Sequence, residues 1–227
     1  MKKCYYIFSL LFIILSVSVF ADDAQHNLQT SLEKVFKLHN GDLIFQNVDC
    51  GPMCDAINEV TQGYHGAKFS HVGIITIDKK QIYVIEAISK GVSITSLSKF
   101  LIRSLDNNGK PRIAIGRLNK KYQQLIPQAI CEARKLVGKP YDDYFDISND
   151  SYYCSELVYF AFLKANNNKP LFQLAPMTYK SPKTNKIFPV WDDYFKNLNI
   201  PVPEGKPGIN PGGISRSGCL KVSFSFK

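Results

Sequence analysis

The chain has 227 residues, 45% of them apolar, and carries 28 Lys and Arg against 19 Asp and Glu, a formal net charge of +9. That is one domain's worth of residues with ample core-forming material. The lysines are scattered with no run longer than a pair, and no zinc-finger or RNA-stacking motif accompanies them, so nucleic acid is not an expected partner. The basic balance suits an anionic cell-envelope surface or, more plainly, a solvated face with mild positive bias.

The N-terminus, MKKCYYIFSLLFIILSVSVFADD, has Lys2 and Lys3, an apolar stretch over 5–17, and Val19-Phe20-Ala21 as a small-residue cleavage site. It predicts a signal peptide over 1–21 cleaved after Ala21, a secreted or periplasmic location, and one domain over 22–227. An uncleaved anchor is the alternative, but the apolar stretch is shorter than the ~20 residues that span a bilayer comfortably. Loss of Lys2 and Lys3 lowers the charge from +9 to about +7. Cys4 stands too early to be a lipoprotein cysteine.

Along the rest of the chain the expected order is β-rich, then helical. A short amphipathic helix over 28–38 and a turn over 39–42 lead into a strand at 43–46. A helix and loop over 50–66 precede FSHVGIITIDKKQIYVIEA, two β-branched and aromatic runs around a polar turn, which reads as a β-hairpin. A strand near 92–95, a helix from 97 to 105 capped by Ser96, and a strand over 112–118 follow. The next helix runs to Val137, with Pro127 in its first turn and Gly138 closing it. In the tail, Pro201, Pro203, Pro207 and Pro211 interrupt regular structure. The class is α+β, an antiparallel sheet with helices packed on one side.

Chemistry concentrates in GKPYDDYFDISNDSYYCSELVYFAF, residues 138–162. Cys154, Leu157, Val158, Ala161 and Phe162 follow helical spacing, and Asp150 or Ser151 would be the N-cap, which places Cys154 in the first turn. Unpaired amides and the positive dipole end favour a thiolate there. The plainer reading is a small buried hydrophobe. His71 is the candidate base. A symmetric hairpin loop puts Ile77 opposite Ile82, Ile75 opposite Val84 and Gly73 opposite Glu86, so Glu86 is the diagonal neighbour of His71 on one face, across a glycine that leaves room. A carboxylate beside an imidazole fixes its tautomer and completes a set of nucleophile, base and orienter. A three-residue loop would instead send Glu86 to the other face.

These blocks resemble known ones. GKPYD followed by YYCSELVYFAF is similar to the cysteine block of NlpC-type papain-like hydrolases, and GDLIF (41–45) and SHVGIITI (70–77) resemble that group's strand motifs. Here the cysteine block comes last, the order of the circularly permuted YiiX-like amidases and of the lecithin:retinol acyltransferase group. PEGKPGINPGGISRS also resembles the glycine-proline segment of YiiX-like proteins. The resemblance implies a permuted papain-like fold, with Cys154 as nucleophile, His71 as base and Glu86 as orienter, acting on an amide or ester in a peptide, cell-envelope or acyl-lipid substrate. It calls for no cofactor and no metal. A lipid acyltransferase or phospholipase-like enzyme is the alternative within enzymes, and a non-catalytic exported binding protein the alternative outside them.

The remaining candidates read more plainly. His39 and His65 lie in turns and are expected at the surface. Cys50, Cys54 and His65 match no common zinc spacing. Cys50 and Cys54 are near enough in sequence to form a disulfide, provided that a helix beginning near Pro52 does not point them apart. Cys131 is expected in the core with Ala129, Ala133 and Leu136, and Cys219 has no assigned place.

Overall fold

Alternating apolar runs in the first half of the chain pair as one antiparallel sheet, whose strands are β1 (Leu43–Gln46), β2 (His71–Asp78), β3 (Gln81–Ile88), β4 (Gly91–Ser96) and β5 (Ile113–Leu118). A strand from the far C-terminal region, β8 (Leu220–Phe224), completes it in the order β4-β3-β2-β1-β5-β8. This is a computed structural model, and it describes Thr30, Leu32 and residues 36–224. The segment expected to be a signal peptide lies outside the described residues, as does most of the helix expected over 28–38. Thr30 and Leu32 are helical, and residues 36–38 are irregular.

The hairpin has the predicted register, with Ile75 opposite Val84, Ile77 opposite Ile82 and Asp78 opposite Gln81. Its two-residue loop is Lys79-Lys80, both at positive φ (45° and 69°), as a turn matched to strand twist requires. The period of two divides the sheet into two faces. Val72, Ile74, Ile85 and Ala87 pack with Leu157, Val158, Ala161 and Phe162 of helix α4 (Cys154–Ala165) and with Ala129 and Ala133 of α3 (Ile126–Lys135). Ile75, Val84, Ile44 and Ile115 meet Leu97, Phe100 and Leu101 of α2 (Leu97–Leu101) on the other face. Helices therefore cover both faces, not one, because the short α2 brings three fully buried apolar residues of its own. Ser96 accepts from the Lys99 amide, as its N-cap role predicts, but the α-helix stops at Leu101 and continues as a 3-10 turn over Ile102–Ser104.

A third cluster joins α1 (Pro52–Val60) to α5 (Pro189–Asn197), with Ala56, Tyr179, Trp191 and Phe195 at its centre. Two short strands, β6 (Ala175–Pro176) and β7 (Pro207–Gly208), pair beside it, and α6 (Pro211–Ser215) follows. Of the tail prolines, Pro207 opens β7 and Pro211 opens α6, where a missing N–H is harmless, while Pro201 and Pro203 lie in irregular backbone, as expected.

Two main-chain hydrogen bonds tie β4 to the segment that leads toward Cys154, from Val92 N to Lys139 O and from Gly138 N to Val92 O, each 2.9 Å. Gly91 beside them has φ +96°, and a Cβ there would stand 2.4 Å from the Lys139 carbonyl. Among the described residues no helix is long and apolar enough to cross a membrane.

Candidate active site

Cys154 is the first residue of α4 and is buried at 7% exposure. The N-cap is Tyr153, two residues beyond the expected Ser151 and three beyond Asp150, because the Glu156 carboxylate accepts the Tyr153 amide (3.1 Å) and takes over the capping role. Ser151 and Asp150 stay in the preceding turn. The thiol still lies in the first turn, beside amides that have no intrahelical partner.

The helix that begins with Cys154 lies on one face of the sheet while His71 and Glu86 belong to the other, and they meet at the start of β2, where His71 is the first strand residue. His71 Nε2 and Glu86 Oε2 are 2.6 Å apart. Gly73 opens the diagonal: a Cβ there would stand 2.3 Å from Val84 Cγ1 and 3.4 Å from Glu86 Cβ. With Nε2 occupied by Glu86, the other ring nitrogen is left for the hydrogen bond to Cys154. The imidazole also packs on Phe100 at 5.7 Å between ring centroids.

Sequence reasoning missed the group behind the carboxylate. Arg103, from the 3-10 turn after α2, donates through an Nη to Glu86 Oε2 at 2.5 Å and lies over Phe100 at 5.0 Å. It was invisible because only the folding of α2 across the sheet brings it to β3. Tyr153 and Ser155 also escaped notice. The Tyr153 hydroxyl accepts the Ile209 amide (3.1 Å), and Ser155 donates to the Ile209 carbonyl (2.9 Å), so both flanks of Cys154 clamp the glycine-proline segment.

These contacts set the protonation states. Burial would discharge His71, but its hydrogen bonds to Cys154 and Glu86 outweigh burial and raise it to about 9. Burial likewise opposes charge on Glu86, yet His71 and Arg103 hold it at about 2. For Cys154 burial pushes the thiol up, while His71 and then the Val72 amide bring it below its ordinary value. Cysteine and histidine titrate as a pair, shifted toward the charged forms of both.

The other candidates fall away from this site. His39 and His65 are exposed, as expected. Cys50 and Cys54 form a disulfide, with Cα atoms 5.2 Å apart, at the first turn of α1. Cys131 is exposed rather than in the core, because α3 turns Ala129 and Ala133 inward instead. Cys219 is buried just before β8, 3.1 Å from the Ser217 hydroxyl. Among the described residues no three His, Cys, Asp or Glu side chains converge on a point that could hold a metal ion.

Comparison with known proteins agrees with the permuted architecture. A solved structure described as that of the metalloprotein yiiX from Escherichia coli O157:H7, DUF1105, superposes with a TM-score of 0.65 at 23% identity, covering 83% of this chain and 97% of that one. The uncharacterized protein YiiX of Escherichia coli (strain K12) is 33% identical over 125 residues, 55% of this chain and 57% of that protein. The chain thus spans little more than half the length of this curated relative. The family of permuted papain-like amidase enzymes, YaeF/YiiX, C92, matches residues 37–222. By that match, which takes in every strand of the sheet up to the first residues of β8, the chain belongs to the C92 family of permuted papain-like amidases.

Proposed function

We propose that this protein is an exported thiol hydrolase that cleaves an amide or ester through an acyl-enzyme on Cys154. The observation that carries the reading is the continuous line of contacts from Cys154 through His71 and Glu86 to Arg103, ending at a helix start beside an open cleft. Cys154 attacks the carbonyl as the thiolate, forming the Sγ–C bond. The Cys154 amide and its first-turn neighbours stabilise the oxyanion. His71 gives its proton to the leaving amine or alcohol as the C–N or C–O bond breaks. Water, deprotonated by the now neutral imidazole, attacks the thioester, and as the Sγ–C bond breaks it releases the acid and restores the thiolate and the protonated His71. Glu86 holds the ring and balances its charge, and Arg103 holds Glu86.

Export rests on the sequence of residues 1–21 and is read from the N-terminus of the secreted chain, expected at Asp22. The hydrolase reading is tested by exposing the protein to cell-envelope extract, quenching in acid and weighing the Cys154 peptide. An added acyl mass on wild type, absent from Cys154→Ala, is the expected result. An unmodified Cys154 that also reacts with electrophilic thiol probes no faster than Cys131 would overturn it.

A further inference from the structure

β1 is buried on both faces, and Leu43, Ile44 and Phe45 fill it with hydrocarbon. Gln46, the last residue of the strand, is polar and has no exposure either. It stands directly opposite His71 in the antiparallel pair, so the two side chains leave the sheet on the same face. Both hydrogens of its amide go to the segment that carries Arg103: Nε2 donates to the Phe100 carbonyl at 2.6 Å and to the Ser104 hydroxyl at 2.9 Å. The orientation is fixed, because a carbonyl can only accept and the amide must turn its nitrogen toward Phe100.

Such a side chain is costly at this place. Among the described residues Gln46 Oε1 is buried with no hydrogen-bond partner, a desolvation that an apolar residue would avoid. A local rule broken without local compensation points to a role elsewhere. Phe100 and Ser104 bracket Arg103, three residues before it and one after. Arg103 lies over the Phe100 ring at 5.0 Å, and His71 packs on the same ring at 5.7 Å between centroids. Ser104 is fully buried, and its carbonyl accepts the Arg112 amide (2.8 Å) at the entry to β5. Arg103 itself is 30% exposed and rides on a three-residue 3-10 turn, whose hydrogen-bond geometry is poorer than that of an α-helix. A long side chain on so short a turn keeps one place only if the turn is tied down on both sides.

We propose that Gln46 is a positioning residue of the active site: by anchoring the turn on both sides of Arg103 it holds the guanidinium on Glu86, and through Glu86 the His71 ring that serves Cys154. This rests on the reading of Cys154 as the nucleophile. Gln46 does not line the cleft and touches none of the reacting atoms.

Alkylation by iodoacetamide reads the Cys154 thiolate with no substrate present, and peptide masses separate Cys154 from Cys131 and Cys219. The ionisable groups around the thiol are His71 on β2, Glu156 on α4, Tyr153 at its cap and Tyr141 before it, with Glu86 on β3 and Arg103 on the turn behind His71. Losing the Arg103 contact lets Glu86 take a proton at higher pH, which withdraws support from the His71 cation and so from the thiolate. Measured between about pH 3 and pH 8, Gln46→Met should therefore move the acid edge of the alkylation profile upward by about 0.5 to 1 in pH, which is about three- to tenfold slower reaction on that edge. Arg103→Ala should move it at least as far, and the double variant no further than Arg103→Ala alone. Methionine keeps the length of glutamine, and Ser104 keeps its bond to the Leu101 carbonyl (3.3 Å), so the urea midpoint should change little. Ser104→Ala removes one of the two anchors and should give a smaller shift of the same sign; if Gln46→Met does not fold, this variant decides, and an unshifted profile overturns the proposal.

A Gln46→Met profile that overlays wild type, or shifts of Gln46→Met and Arg103→Ala that add in the double variant, would overturn the proposal and leave the nucleophile standing. Wild-type Cys154 that reacts no faster than Cys131 at the acid end would remove the nucleophile reading, and with it any pair for Gln46 to position.

Discussion

Glu86 and Glu156 are both fully buried, yet they lie at opposite ends of the carboxylate range. Glu86, on β3, accepts from His71 and Arg103 and is held at about 2. Glu156, in the first turn of α4, accepts the Tyr153 amide; burial first, with Asp142, Asp146 and Cys154 adding negative charge nearby, raises it to about 9. A helix start ordinarily favours an anion, but here burial and like charge win. The contrast teaches that burial opposes charge on both groups and that cationic partners decide which one ionises. A neutral Glu156 leaves the positive end of α4 unopposed at Cys154, while a charged Glu86 keeps its histidine protonated.

The largest expected effect comes from removing the group both regions serve. Cys154→Ala should lower turnover by on the order of 10⁴-fold or more, with a melting temperature within a few degrees of wild type. Appreciable residual turnover would mean that the chemistry lies elsewhere. Glu86→Gln should lower kcat/KM by on the order of 10²–10⁴ and stability by about 1–3 kcal/mol, measured by urea unfolding. The signs of the pH effects follow from the shifts. Glu86 contributes stability above its ordinary 4.5 that is lost as pH falls toward 2, whereas His71 contributes below its ordinary 6.5 and loses that contribution as pH rises through about 9. Glu86→Gln should therefore flatten the acid side, and the alkaline fall in wild-type kcat/KM should lie near pH 9.

Arg103 sharpens the comparison because it is part of what Glu156 lacks. Arg103→Ala should lower kcat/KM by about tenfold, with Arg103→Lys recovering part of it, since a side chain 30% exposed is partly screened by water. No change in either rate or the acid stability profile would assign the low pKa of Glu86 to His71 alone. The smallest effect is expected at the other carboxyl. Glu156→Gln should change activity by less than about threefold. A raised pKa makes the native state hold its proton longer than the unfolded chain, so wild type loses stability as pH rises from 4.5 to about 9, and the glutamine removes that loss. Urea midpoints at pH 5, 7 and 9 would show it, and parallel curves would mean that Glu156 is charged in the native state.

Local rules carried the sequence reading where structure is local. The hairpin period put Glu86 diagonal to His71, and helical spacing placed Cys154 in a first turn. Arg103 was not legible, because a three-residue 3-10 turn is too short to show a side-chain period and its approach to β3 depends on how α2 folds over the sheet. The same holds for β8, whose partner β5 lies about a hundred residues earlier in the chain and whose sequence, LKVSF, is too short to declare a partner. Cys131 was misjudged because two small alanines, not the cysteine, meet α4.

The clip between Val92 and the 138–139 segment has a consequence beyond holding the loop before Cys154. β4 is a terminal strand of the sheet, and such a strand exposes unpaired amides and carbonyls that can recruit a strand from another molecule. By occupying both the donor and the acceptor of Val92, the loop denies that template to a second chain. Gly91 is what permits the approach, so a side chain at that position would turn a protected margin into a site for self-association.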